Sequence, residues 1–63
     1  MTLAFAFGVW IKRRRKEMDL TQSALAHAVP CAIQTVRALE AGRLRPSREL
    51  AVRLAEVLQI PAD

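Results

Sequence analysis

The chain has little to cross-link and little to stack on. Cys31 is the only cysteine among 63 residues. That excludes an internal disulfide and any metal site built from several thiolates, and it suits a reducing cytoplasm. Tyrosine is absent, and the three aromatics, Phe5, Phe7 and Trp10, all lie near the N-terminus. The interleaved aromatics on which single-strand binders stack bases are therefore missing. Acids are scarce where bases are dense. Residues 1–48 hold nine of the ten Lys/Arg against Glu17, Asp19 and Glu40, whereas residues 49–63 hold Arg53 against Glu49, Glu56 and Asp63. Basic charge gathered in one part of a chain with net charge +4 suits a polyanionic partner.

Other absences narrow the classes further. No paired carboxylates stand near a nucleophile, and there is neither a Gly-rich phosphate loop nor metal-ligand spacing, so the sequence reads as no enzyme and calls for no cofactor. His27 has no second ligand in sight and reads as a surface histidine, and Cys31 reads as packing. The apolar opening MTLAFAFGVWI has no positive charge before it and KRRRK after it, the reverse of a secretory leader. At eleven residues it is too short to span a membrane. Internal repeats, low-complexity tracts and linkers are absent.

What is present is a compact, apolar-rich chain. Residues 1–63 read as one small domain, 52% apolar. A chain of this length buries about 60% of its unfolded surface, so its stability is marginal. Phe7, Ile11 and Met18 fall along one stripe with Trp10 beside it, which predicts a helix over about 7–18. Lys12, Arg13 and Lys16 point away from it, and Asp19 and Leu20 form the exit. Thr21 is a natural N-cap for a helix over 22–28. A third helix spans about 32–40, with Gly42 ending it in the left-handed region. Pro46 stops further helix and Ser47 caps a fourth over 48–58, with Glu49 in its first turn, where the dipole favours negative charge. Ile60 and Pro61 close the chain. The result is an all-α fold around Phe7, Ile11, Leu25, Ala26, Val29, Val36, Leu39, Leu50, Leu54 and Leu58. Ala26 is small enough to let helix two cross helix three closely, opposite Val36.

The middle of the chain carries the functional signal. TQSALAHAVPCAIQTVRALEAGRLRPSR at 21–48 reads as two short helices joined by a tight turn and followed by a basic loop. That is the layout of a helix-turn-helix, whose second helix enters the DNA major groove.

LTQSALA at 20–26, TVRALEAG at 35–42 and RPSRELAVRLAEVLQIP at 45–61 together resemble the phage-repressor helix-turn-helix proteins of the Cro/CI-type, or XRE, family, over roughly residues 7–61. The resemblance implies a lambda-repressor-like bundle of four or five helices in a cytoplasmic transcription regulator, often a repressor. Such a regulator binds double-stranded operator DNA, usually palindromic, as a homodimer. It assigns base reading to Ile33, Gln34, Arg37 and Ala38. Gln34 suits adenine N6 and N7, Arg37 guanine O6 and N7 or a phosphate, and Ile33 a thymine methyl. Phosphate contacts fall to Thr21, Gln22, Arg43, Arg45 and Arg48, which position without reading sequence; Gln22 also braces the reading helix. Arg15 aligns with an arginine that pairs with the glutamate ending helix three, here Glu40. The other bases of the run, Lys12, Arg13, Arg14 and Lys16, read as solvated or long-range charge.

Two positions depart from the family pattern. Pro30 stands where glycine usually supplies φ above zero, and proline is held near −65°. It also disfavours helical angles at Val29, which predicts an early end to helix two and an altered turn. Ala32 replaces the usual Ser or Thr cap of helix three, a loss on the order of 1 kcal/mol.

Two other readings stay open. An antitoxin-like or adaptor module could reuse the fold for protein partners, with Ile33 and Ala38 leaning that way and Gln34 and Arg37 against. FAFGVWIKRRRK could also form a membrane-surface helix, although this leaves everything after it unexplained. No dimerisation segment stands out, so the sequence reads either as part of a larger regulator, dimerising through a missing or C-terminal segment, or as a small stand-alone dimer.

Overall fold

The computed structural model describes the backbone of residues 3–59 and the side chains of residues 6–59; Ile60 and Pro61 lie outside this range. Four helices follow one another: α1 Leu3–Glu17, α2 Gln22–Ala28, α3 Ile33–Glu40 and α4 Arg48–Val57. The fold is all-α, with no strand among the described residues.

Helix starts follow the side-chain chemistry. Thr21 Oγ1 accepts from Ala24 N–H at 2.9 Å and Ser47 Oγ from Leu50 N–H at 3.1 Å, so α2 and α4 begin where a hydroxyl can take an orphan donor. α1 begins at Leu3, four residues before the start predicted at Phe7. Residues 3–6 contain no breaker, and Leu and Ala are strong helix formers. The polar alternation that marks a helix face begins only after them.

Three helices end in a left-handed residue: Asp19 after α1 (φ 57°), Gly42 after α3 (φ 76°) and Gln59 after α4 (φ 54°). At Asp19 and Gly42 the full pair of Schellman bonds closes the end. Leu20 N–H donates to Arg15 C=O at 3.0 Å and Asp19 N–H to Lys16 C=O at 3.0 Å; Arg43 N–H donates to Ala38 C=O at 2.9 Å and Gly42 N–H to Leu39 C=O at 3.1 Å.

α2 ends differently because of Pro30. Val29 keeps right-handed helical angles (φ −70°, ψ −30°), contrary to the extended geometry expected before proline. Its N–H donates to Leu25 C=O at 3.0 Å, and its side chain is buried. Together these outweigh a steric preference that disfavours the α region without forbidding it. The outer bond survives, from Cys31 N–H to Ala26 C=O at 2.7 Å. The inner one has no donor, because proline lacks an N–H.

The core is continuous: Ile11, Leu25, Ala26, Val29, Val36, Leu39, Leu54 and Leu58, with Phe7 and Leu50 packed against it while partly exposed. α3 lies in the middle and packs most extensively against α1 and α2. Gly8 sets how close α1 comes. A Cβ there would run into the Leu39 carbonyl oxygen and lie 3.0 Å from that of Glu40, so the last turn of α3 rests on the bare backbone of α1.

Candidate nucleic-acid interface

α3 is sharply two-faced. Val36 and Leu39 are fully buried against the core, whereas Gln34 and Arg37 are exposed on the other side. Ala38 is half-buried. Ile33 is also half-buried and packs against the core, so only part of its side chain faces outward. The polar members of the expected reading set therefore share the open face, and its apolar members sit on the margin. Ala32 begins α3 in extended geometry with no side-chain bond to the helix N-terminus, leaving the first-turn N–H groups unoccupied by any side chain at that position.

The expected phosphate contacts lie at the start of α2, in the stretch after α3 and at the start of α4. Arg43, Arg45 and Arg48 are exposed, the first two in the irregular stretch between α3 and α4. Thr21 uses a lone pair for its cap and keeps a hydroxyl proton to donate. Gln22 is committed elsewhere: its Nε2 donates to Glu40 Oε1 at 3.1 Å.

That bond belongs to a network behind α3. Arg15 donates from Nε to Glu40 Oε2 at 2.7 Å and from Nη2 to Glu40 Oε1 at 3.1 Å, while its Nη1 donates to Leu20 C=O at 2.7 Å. The two side chains are 9% and 4% exposed. A bidentate pair this buried is strong when complete, and removing either partner strands a charge. It is complete, because among the described residues every buried side-chain nitrogen and oxygen has a partner. One network thus joins α1, the turn after it, α2 and the end of α3.

Arg14 corrects the expectation of a merely solvated charge. Its Nε donates to Leu58 C=O at 2.8 Å, capping the C-terminus of α4 with a cation where the dipole favours one. Adjacent helix residues diverge by about 100°, so Arg15 meets α3 while Arg14 reaches α4. Lys12, Arg13 and Lys16 are exposed. Trp10 is 42% exposed and lies 6.2 Å from Phe7, ring centre to ring centre. His27 is exposed, and burial pushes the half-buried Cys31 thiol above its ordinary pKa. Among the described residues no helix is long and apolar enough to cross a membrane.

Two contacts were invisible from sequence. The Arg14 tie has a backbone carbonyl as its partner, 44 residues away. Gly8 is required by what lies opposite it across the fold.

Two short helices at a tight turn, the second backed by a buried face and open on the other, define a helix-turn-helix protein. A helix-turn-helix family model matches residues 11–63. Over 48 residues the chain is 50% identical to a protein of Methanothermobacter thermautotrophicus named as an uncharacterized HTH-type transcriptional regulator, an overlap spanning 76% of this chain and 70% of that one. The chain belongs to the Cro/CI-type (XRE) helix-turn-helix family.

Proposed function

We propose that this chain is a transcription regulator that reads a double-stranded DNA operator through the outward face of α3. The observation that carries the reading is the division of that helix: Gln34 and Arg37 exposed, Val36 and Leu39 fully buried. Gln34 bonds adenine N6 and N7, and Arg37 bonds guanine or a neighbouring phosphate. Ala38 and the outer part of Ile33 offer apolar contact. Arg43, Arg45 and Arg48 hold phosphates on one side, and Thr21 holds them on the other with the remaining amide hydrogen of Gln22. Gln22 acts first as a brace, since it already holds Glu40. Two copies on a palindromic site double the contacts that so small a domain can make.

Selection from a random-sequence duplex pool at two salt concentrations tests this. A motif is enriched by the wild type; Gln34→Ala relaxes it at one position of each half-site. Arg45→Ala weakens every site alike and lowers the salt slope by about one. Weak binding without sequence preference from an artificially dimerised chain rejects base reading and favours a protein-interaction module.

A further inference from the structure

Five side chains of α4 line one shallow depression: Arg48, Glu49, Val52, Arg53 and Glu56. Val52 is 52% exposed, more than Val9, Trp10 or Leu44, while Leu54 and Leu58 anchor the opposite side of the same segment in the core. Among the described residues the ion pairs are Arg14–Glu17 and Arg15–Glu40. Among those residues none of the four charges of this face is paired, although Glu49 and Arg53 stand at the i, i+4 spacing that allows a pair.

Along the helix the face reads plus, minus, apolar, plus, minus. Reversed, it reads minus, plus, apolar, minus, plus. A second copy laid antiparallel about a two-fold axis near Val52 therefore sets Arg48 against Glu56 and Glu49 against Arg53, and the symmetry makes each pair twice. Parallel copies would set every charge against its own kind.

We infer that this face of α4 pairs with the same face of a second copy, antiparallel, with Val52 on Val52 at the centre and two ion pairs on each side. Arg48 has five N–H donors, enough for a partner carboxylate and a phosphate together. One helix face of this length falls below the ~1,200 Å² of a stable interface. The dimer is accordingly weak when free and gains from the high effective concentration of two copies on adjacent half-sites. Only that gain rests on the DNA-reading proposal; the pairing itself is measured without DNA.

Sedimentation equilibrium of the chain from tens of micromolar to about 1 mM, at low and high salt, reads the association directly. The expected result is a monomer–dimer equilibrium that weakens with salt. Glu49→Arg and Arg53→Glu each weaken it about tenfold, since each turns two attractions into two repulsions. The chain carrying both reversals regains most of the loss, which separates pairing from any helicity lost in a single variant. Monomer at every concentration overturns the inference, as does a dimer indifferent to the single reversals or one that the double reversal fails to restore. A dimer lost on Trp10→Ala but not on Glu49→Arg moves the interface to α1 and overturns it equally. DNA preference in the pool selection is scored separately, so either idea can fail while the other stands.

Discussion

The two ends of α3 are held in opposite ways. At its C-terminus, Glu40 is gripped by Arg15 and Gln22, the last carbonyls lie against the bare backbone of Gly8, and Gly42 closes the helix with two Schellman bonds. At its N-terminus, Ala32 offers no side-chain cap, and in the turn before it the Schellman pair is reduced to its outer bond, from Cys31 N–H to Ala26 C=O. The fixed end lies behind the helix, and the sparsely held end carries Gln34. If α3 reads DNA as proposed, stability and recognition are divided along a single helix. Substitutions at the back should unfold the domain, whereas those in the turn should alter how the helix meets a partner at little cost in stability.

The largest effect expected from breaking this contrast comes at Glu40. Glu40→Ala strands the Arg15 guanidinium in the core and should lower unfolding free energy by about 3–5 kcal/mol, read as a shift in denaturant midpoint. Replacing both partners (Arg15→Met with Glu40→Leu) should lose less than either single truncation, because no charge is left stranded. Gly8→Ala comes next. Its methyl group meets backbone on α3, which cannot rotate away as a side chain would. The helices must separate, at about 1–3 kcal/mol by analogy with overpacked cores; thermal unfolding read by helicity measures it, and an unchanged midpoint would show that α1 approaches α3 less closely than described. The smallest effect sharpens the contrast from the other end. Ala32→Ser supplies the missing cap and should raise stability by about 1 kcal/mol. Faster amide exchange at the start of α3 in the wild type than in this variant would confirm that the head of the helix is the looser end.

Much of the fold was legible because its signals are local. Thr21, Ser47 and Gly42 act within a turn of where they stand, and the spacing of Ile11, Leu25, Val36, Leu39 and Leu54 identifies the buried faces. The Arg15–Glu40 pair came from the family resemblance, since nothing in spacing links positions 25 apart. Arg14, Gly8 and the helical angles of Val29 depend on tertiary neighbours: a distant carbonyl, a facing backbone, and a buried side chain held by its own hydrogen bond. For the candidate site, exposure separates Gln34 and Arg37 from the half-buried Ile33 and Ala38, a distinction that periodicity alone blurs at the margin of a helix face.

The anchoring of Glu40 also has a mechanical consequence. α3 has eight residues and is therefore about 12 Å long, a short lever with its fulcrum at Glu40. A tilt of about 5° at that fulcrum carries the free end through roughly 1 Å, about twice the spread of lengths over which an N–H···O bond stays good. On the DNA-reading proposal, a shift imposed at Pro30, Cys31 or Ala32, at the free end of this lever, is passed largely intact to Gln34, so that sequence variation in the turn retunes what the helix touches without altering the residues that touch it.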